Sequence, residues 1–205
     1  MNIGVLGGTF DPIHNGHILV ADEARAWLNL AQVLFVPTGQ PLFKEDRPVS
    51  AAEHRVEMVR LAIANEPFFR LSTVEIDRPG PSYTVDTVAE LQAKLGAGNE
   101  LYFIVGCDSL VQLPRWREPS RLIEMCHLVA VPRPGYRLPD LHYMEALIPG
   151  LSRKLIMLDA PEIDIDATEI RDLIARGLPI SHLVPEPVDE YIRQHKLYST
   201  GRNVT

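Results

Sequence analysis

Two histidines lie three residues apart near the start of the chain, directly after a pair of glycines, in the stretch GGTFDPIHNGH (residues 7–17). The stretch follows an apolar run of strand length, and ligands bind beyond the carboxyl ends of strands in open parallel sheets. Glycine lacks a Cβ and lets the backbone approach a ligand closely. A helix beginning near Asn15 would point free N–H groups at an anion. His14 and His17 at that helix start therefore predict a phosphate-binding site.

Two other interpretations of the histidine pair are open at this point. A metal site would need further Cys, His or carboxylate ligands, and the sequence nearby offers no obvious cluster. Core histidines bonded to the backbone are the second alternative. The stretch lacks the GK[ST] of a P-loop and the GxGxxG of a dinucleotide-binding turn, so neither of those phosphate sites is predicted.

A second candidate anion site lies far along the chain, in IDIDATEIRDLI (residues 163–174). Asp166 followed by Glu169 predicts a capping box, so a helix would begin at Ala167 and Thr168. The Thr168 hydroxyl and the Arg171 guanidinium, one turn later, suit phosphate oxygens. The alternative is a capped surface helix with an exposed arginine.

The elements that must position these residues alternate between strands and helices. The apolar runs lack the alternation of a half-buried strand, which favours buried parallel strands. The predicted strands are Asn2–Leu6, Gln32–Val36, Leu101–Val105, His127–Val131 and Lys154–Leu158. Helices are predicted at Ile18–Leu28, from Thr84 to Leu95 and within Pro185–Tyr198. A further helix is predicted after a Ser50–Glu53 capping box, because Ala52, Val56, Val59 and Ile63 then share one face. The alternation predicts an α/β fold, a doubly wound Rossmann-like parallel sheet flanked by helices, with a short C-terminal helical segment.

We expect a single domain over residues 1–198 and a flexible tail over residues 199–205. Two long proline-containing stretches, residues 37–48 and 132–141, are predicted to be mobile loops.

Net charge, cysteine content and hydrophobic patterning indicate which partners and which cellular location to expect. The net charge of −7 argues against a nucleic-acid partner, which needs a basic face. The two cysteines, Cys107 and Cys126, lack CxxC spacing and suit a reducing compartment. The sequence contains neither a secretory-type start nor a long uninterrupted apolar run, so no membrane association and a cytoplasmic location are expected.

The opening stretch resembles the signature of the nucleotidylyltransferase superfamily, whose core T/H-x-G-H stands here as residues 14–17. The resemblance implies that the paired histidines bind ATP phosphates and stabilise charge at the attacked α-phosphorus. The superfamily closes its ATP site with I-S-[ST/A]-T-x-I-R, which residues 165–171 match except at Asp166, where serine is usual. The catalytic residues implied are His14, His17 and Arg171. The ATP-binding residues implied are Gly7, Gly8, Thr9, Phe10, His14, Gly16, His17, Gly106, Asp108, Ala167, Thr168 and Arg171. A carboxylate beside a triphosphate would repel it unless turned away, so the Asp166 side chain is left out of this set.

The middle of the chain resembles the bacterial nicotinate-nucleotide adenylyltransferase family within that superfamily. The matching segments are RPGPSYTVDT (residues 78–87), FIVGCDSL (residues 103–110) followed by Trp116, HLV with RPG, and LVP near the end. The family's P-P-H-K segment stands here as PLFK, which keeps Lys44 and loses the usual histidine to Phe43. The nicotinate mononucleotide-binding residues implied are Lys44, Tyr83, Thr84, Thr87, Trp116 and Arg133.

The resemblance implies adenylyl transfer from ATP to nicotinate mononucleotide, giving deamido-NAD and diphosphate in NAD biosynthesis, with Mg²⁺ carried by ATP and no protein metal site. A tryptophan can stack on the flat pyridine ring, although an ordinary core tryptophan is the alternative. The start of a helix at Thr84 could hold the nicotinate carboxylate on backbone N–H groups. The alternatives are a phosphopantetheine or nicotinamide mononucleotide adenylyltransferase, or a nucleotide-binding sensor without catalysis. The sequence does not determine the oligomeric state, and a homo-oligomer is possible.

Overall fold

The computed structural model describes residues 1–40, 49–96, 98–132, 140–158 and 165–199. Its centre is a six-stranded sheet in the order β3-β2-β1-β4-β5-β6, with every neighbouring pair parallel. The strands are β1 (Asn2–Gly8), β2 (Gln32–Pro37), β3 (Phe69–Leu71), β4 (Glu100–Gly106), β5 (Cys126–Val131) and β6 (Leu155–Met157). The doubly wound Rossmann-like fold predicted from the alternation of elements is confirmed.

Each of the five predicted strands is present, within one or two residues of its expected ends. The strand that the sequence did not predict is β3, which has three residues and pairs only with β2 at the edge of the sheet. A segment this short carries too few apolar positions to show a strand pattern.

Nine α-helices occur among the described residues. They are α1 (Asn15–Leu28), α2 (Ala52–Ala62), α3 (Val74–Asp77), α4 (Thr84–Leu95), α5 (Cys107–Leu110), α6 (Pro119–Met125), α7 (Leu141–Leu147), α8 (Ala167–Ala175) and α9 (Glu186–Gln194). Helices α1, α2, α4, α8 and α9 lie where the sequence predicts helices, and α9 is the expected short C-terminal helix. None of the described helices has the length and apolar composition needed to cross a membrane.

Two hydrophobic clusters cover the two faces of the sheet, as a doubly wound fold requires. One contains Val5, Phe103 and Leu128 together with buried residues of α4 and α6. The other contains Leu6 and Ile104 together with buried residues of α1, α2, α8 and α9. Successive residues of β1 and β4 therefore point into opposite cores, which explains why these strands are apolar without alternation.

The start of α2 differs from the prediction. The helix begins at Ala52 after Ala51, and no side chain caps it, so the Ser50–Glu53 capping box is wrong. The backbone of Ser50 has other partners, because its N–H donates to Asp11 and its carbonyl accepts from Arg55. Tertiary hydrogen bonds thus replace the local cap, and the buried face of α2 is shifted so that it includes Arg55.

Parts of three sequence predictions lie outside the described residues. They concern residues 41–48 and 133–139 of the two proline-containing stretches, and residues 200–205 of the tail.

Candidate active site

A cavity of about 420 Å³ opens at the carboxyl edge of the sheet, where the predicted phosphate site was expected. It lies beyond the ends of β1, β4 and β5. It is lined by Leu6, Gly7, Gly8, Thr9, His14, Gly16, His17, Val20, Thr38, Glu75, Ser82, Thr84, Phe103, Ile104, Val105, Gly106, Asp108, Ser109, Trp116, Val131, Pro132 and Ile165. Eight of the residues predicted for ATP line this cavity together with Thr84 and Trp116 of the set predicted for nicotinate mononucleotide, whereas Phe10, Ala167, Thr168 and Arg171 of the first set do not line it.

The two histidines stand together at the start of α1. Their rings stack with centroids 3.7 Å apart, and His14 is buried while His17 is partly exposed. The backbone N–H of His14 donates to Nδ1 of His17 at 3.2 Å. A ring nitrogen that accepts this bond carries no proton in the neutral imidazole, so the proton lies on Nε2. The backbone of His14 thus orients the His17 ring at the start of α1.

The glycine pair and Phe10 support this arrangement from within the protein. A Cβ on Gly7 would come within 3.2 Å of the Phe103 ring, and one on Gly8 within 3.1 Å of the Phe10 ring. Phe10 is buried and meets the His17 ring edge-on, with centroids 4.9 Å apart. The glycines thus allow close internal packing as well as close approach of a ligand. The buried Phe10 packs against the ring of His17.

Helix α8 brings the second predicted anion site to the first. Nη1 of Arg171 donates to the backbone carbonyl of Asp11 at 2.8 Å, and Nη2 donates to Oγ1 of Thr168 at 3.1 Å. The Asp166 carboxylate accepts from the backbone N–H of Thr168 at 2.6 Å and so caps its own helix. The residue that departs from the superfamily pattern is therefore used as an N-cap.

The opposite wall of the cavity is built around the start of α4. Ser82 and Thr84 line the cavity, and the backbone N–H groups of Thr84 and Val85 precede the first helical hydrogen bond. Trp116 lines the same wall, with its ring edge-to-face on Phe103 at a centroid distance of 6.3 Å. This wall offers a flat aromatic face beside helix-terminal donors.

Known proteins show the same combination of elements. Residues 5–173 match the cytidylyltransferase-like family. The chain is 47% identical over 198 residues to a probable nicotinate-nucleotide adenylyltransferase of Dehalococcoides mccartyi, covering 97% of each chain. It is 45% identical over 196 residues to a protein of the same description from Roseiflexus, covering 96% of this chain and 97% of that one. The chain belongs to the nicotinate-nucleotide adenylyltransferase family.

The fold agrees with solved structures. A nicotinic acid mononucleotide adenylyltransferase of Plasmodium falciparum, complexed with NaAD, superposes with a TM-score of 0.77. It is 20% identical to this chain, and the match covers 96% of this chain and 97% of that one. As a nicotinate-nucleotide adenylyltransferase, the protein is an enzyme that transfers an adenylyl group to nicotinate mononucleotide in NAD biosynthesis.

Thr87 occupies a different place in this adenylyltransferase from that implied by the resemblance. Its side chain is fully buried and does not line the cavity. The Thr87 hydroxyl donates to Oε1 of Glu75 at 2.7 Å and accepts from Nη2 of Arg78 at 2.8 Å. Tyr83 is also absent from the lining, and its ring lies 4.7 Å from the guanidinium carbon of Arg117. Both residues therefore pack beside the wall at the start of α4 without lining the cavity.

Two buried charged residues, Glu75 and Arg55, were missed by the sequence reasoning. Glu75 is a buried carboxylate that lines the cavity, and nothing in its immediate sequence distinguishes it from a surface glutamate. Gly39 packs against the backbone of that residue so closely that a Cβ would come within 2.1 Å of the Glu75 carbonyl oxygen. Only glycine fits this contact.

Arg55 is the second residue that was missed, and it joins the segments that carry Thr9, Thr38 and Ser50. Its guanidinium donates to the carbonyls of Thr9 at 2.9 Å, Thr38 at 2.8 Å and Ser50 at 3.0 Å. Burial lowers the pKa of the Arg55 guanidinium, and the nearby Asp11 carboxylate raises it. Arginine stays charged in proteins, so these carbonyls hold a buried cation. An arginine on the apolar side of a predicted helix was the signal available in the sequence.

The remaining predicted residues divide between the cavity and undescribed parts of the chain. Gly106 and Asp108 line the cavity at the end of β4. Cys107 between them is buried, and desolvation raises the pKa of its thiol, which agrees with packing and not with a nucleophile. Lys44 and Arg133 lie outside the described residues. Among the residues described, no three His, Cys, Asp or Glu side chains form a metal-binding group.

Proposed function

We propose that His14, His17 and Arg171 carry the adenylyl transfer in this enzyme. The observation that supports this most strongly is the contact between the two predicted anion sites, in which Arg171 donates to the carbonyl of Asp11, three residues before His14. The guanidinium thereby lies against the turn that leads to the imidazole pair, and the histidines, but not Arg171, line the cavity. Gly7, Gly8, Thr9 and Gly16 complete the donor end as cavity-lining residues.

The reaction joins a phosphate oxygen of nicotinate mononucleotide to the α-phosphorus of ATP and breaks the bond between the α-phosphorus and the bridging β-oxygen. Diphosphate leaves with that electron pair. The attacking oxygen is already anionic at neutral pH, so the enzyme needs no general base. Catalysis comes from holding the two phosphates in line and from stabilising the charge that develops. His17 donates through Nε2–H to the α-phosphate, with His14 beside it.

Arg171 and Thr168 hold the departing diphosphate. Their mutual hydrogen bond fixes the guanidinium at the start of α8, where the N-terminal peptide groups also favour an anion. Nucleotidyltransferases generally use a divalent metal with ATP, and we assign that role to Mg²⁺. Mg²⁺ would enter with ATP as part of the substrate and would offset the negative charge of the phosphates.

The acceptor binds at the other wall. The nicotinate ring stacks on Trp116, and the ring carboxylate accepts from the backbone N–H groups at the start of α4 beside Thr84. On the ATP side, Asp108 and Gly106 hold ribose hydroxyls of ATP. Lys44 and Arg133 remain candidate contacts to the acceptor phosphate on the basis of the sequence. The substrates ATP and nicotinate mononucleotide support a cytoplasmic location, and so do the two buried cysteines, which form no disulfide.

The test is a coupled assay of diphosphate release with three acceptors side by side: nicotinate mononucleotide, nicotinamide mononucleotide and phosphopantetheine. We expect deamido-NAD to form from the first with the highest kcat/KM. A highest kcat/KM with either of the other two would contradict the acceptor site. ATP binding without diphosphate release from any acceptor would favour the non-catalytic sensor.

A further inference from the structure

The end of the described chain reaches back to the signature turn. The hydroxyl of Tyr198 donates to Oδ1 of Asp11 at 2.6 Å, across 187 residues of sequence. Asp11 is only 6% exposed, and its other oxygen, Oδ2, accepts from the backbone N–H of Ser50 at 3.2 Å. Two tertiary donors therefore satisfy a buried carboxylate within the GGTFDP turn.

The same aspartate holds the candidate catalytic arginine through its backbone. Nη1 of Arg171 donates to the Asp11 carbonyl at 2.8 Å, so Asp11 contacts Tyr198 with its side chain and Arg171 with its main chain. A shift of this residue would displace the guanidinium and the turn that leads to His14. Neither Tyr198 nor Asp11 lines the cavity.

We propose that Tyr198 is a positioning residue for adenylyl transfer, which acts by holding Asp11 so that Arg171 and the histidine pair keep their relative placement. This inference rests on the role proposed above for Arg171. Burial raises the pKa of the Tyr198 phenol, with the Asp11 carboxylate adding to the effect. The phenol is therefore a protonated donor throughout the neutral range.

Removing the hydroxyl should loosen this arrangement without opening the core. In Tyr198→Phe the ring remains, but Oδ1 of Asp11 loses its donor in a buried position. The carboxylate then turns toward water or toward another donor, and the Asp11 carbonyl moves with it. Small displacements of groups that hold a reacting phosphate lower kcat strongly.

The experiment compares Tyr198→Phe with Tyr191→Phe. Tyr191 is a matched control because its hydroxyl lies 2.9 Å from Nδ1 of His54, at the α2–α9 contact, and it does not line the cavity. We expect Tyr198→Phe to lower kcat about ten- to a hundredfold while KM for nicotinate mononucleotide stays near that of the unchanged protein. Tyr191→Phe should leave kcat unchanged. Unfolding of both variants is followed by circular dichroism, and assays are run below their unfolding midpoints.

A double-mutant cycle with Arg171→Lys separates positioning from a general loss of stability. If Tyr198 acts through Arg171, Tyr198→Phe should lower kcat by a much smaller factor in the Arg171→Lys background than in the unchanged protein. Equal costs in the two backgrounds, or a normal kcat in Tyr198→Phe, would overturn the inference. A normal kcat in Arg171→Lys and in Arg171→Ala would instead contradict the proposed role of Arg171. If Tyr198→Phe does not fold, a normal kcat in Asp11→Ala, which removes the acceptor of the Tyr198 hydroxyl, would overturn the inference.

Discussion

The two ends of the active-site cavity are built in different ways. The donor end joins segments that are far apart in the chain, since Arg171 reaches Asp11 across 160 residues and Arg55 reaches Thr9 across 46. The proposed acceptor end is formed largely by one continuous stretch, in which the Thr87 hydroxyl bonds to both Glu75 and Arg78 within 12 residues. Trp116 comes from a neighbouring segment after β4.

This difference indicates how each end should respond to substitution. The two arginines of the donor end are held by long-range hydrogen bonds to backbone carbonyls, so their placement depends on the whole sheet and on the C-terminal helices. Acceptor groups depend on a local network around α3 and α4. We therefore expect substitutions at the donor end to change kcat, and substitutions at the acceptor end to change KM and the choice of acceptor.

The largest effect is expected for His17→Ala. Loss of one donor to developing charge lowers kcat by about 10²–10³-fold in comparable sites. His17 also accepts from the His14 N–H, so the variant should lose about 1 kcal/mol of stability as a lost helix cap does. His17→Asn keeps an acceptor near the position of Nδ1 and should recover stability but not kcat. Steady-state kinetics and urea unfolding measure the two effects, and a near-normal kcat in both variants would refute the phosphate role.

The next effect concerns the acid and the amide forms of the acceptor. In the proposed acceptor site, helix-start donors near Thr84 would form charge-assisted bonds with the nicotinate carboxylate, whereas the amide would present an NH₂ group to the same donors. Each mismatch costs roughly 1–3 kcal/mol. One or two mismatches predict about ten- to several-hundred-fold higher kcat/KM for the acid. Competition kinetics with the two acceptors tests this prediction. Equal values of kcat/KM would contradict binding of the nicotinate carboxylate at the start of α4.

A smaller effect is expected for Trp116→Ala. Stacking of a base on an aromatic side chain is worth about 1–3 kcal/mol by alanine substitution, so KM for nicotinate mononucleotide should rise about 5- to 150-fold with kcat less affected. Trp27→Ala is the matched control, because Trp27 lies 54% exposed on α1 and is not part of the cavity. A core role for Trp116 would appear instead as a lowered unfolding midpoint with an unchanged KM.

The smallest effect on activity is expected for Thr87→Val. The variant leaves the Glu75 carboxylate and the Arg78 guanidinium without a shared hydroxyl and should lower the free energy of unfolding by about 1–3 kcal/mol. Thr84→Val is the comparison, since Thr84 lines the cavity and should change KM for the acceptor more than it changes stability. If Thr87→Val raised KM without loss of stability, Thr87 would be a direct ligand contact.

Several features of this protein follow from the sequence alone. Strand-length apolar runs separated by helical spacing predict a parallel sheet, because a strand buried on both faces must be apolar on both. The Asp166 cap and the helix starts at Asn15 and Thr84 are also predictable, since caps and first turns depend on a few adjacent residues. The paired histidines are placed by the same local rule.

Only the tertiary structure decided which polar side chains face the cavity and which support it. Thr84 and Thr87 are three residues apart on one helix, yet the first lines the cavity and the second is buried on Glu75. Ser50 has the sequence of a cap but bonds to Asp11 and Arg55. Hydrogen-bond partners brought together by folding compete with local ones, and a buried polar group must satisfy whichever partner the packing presents.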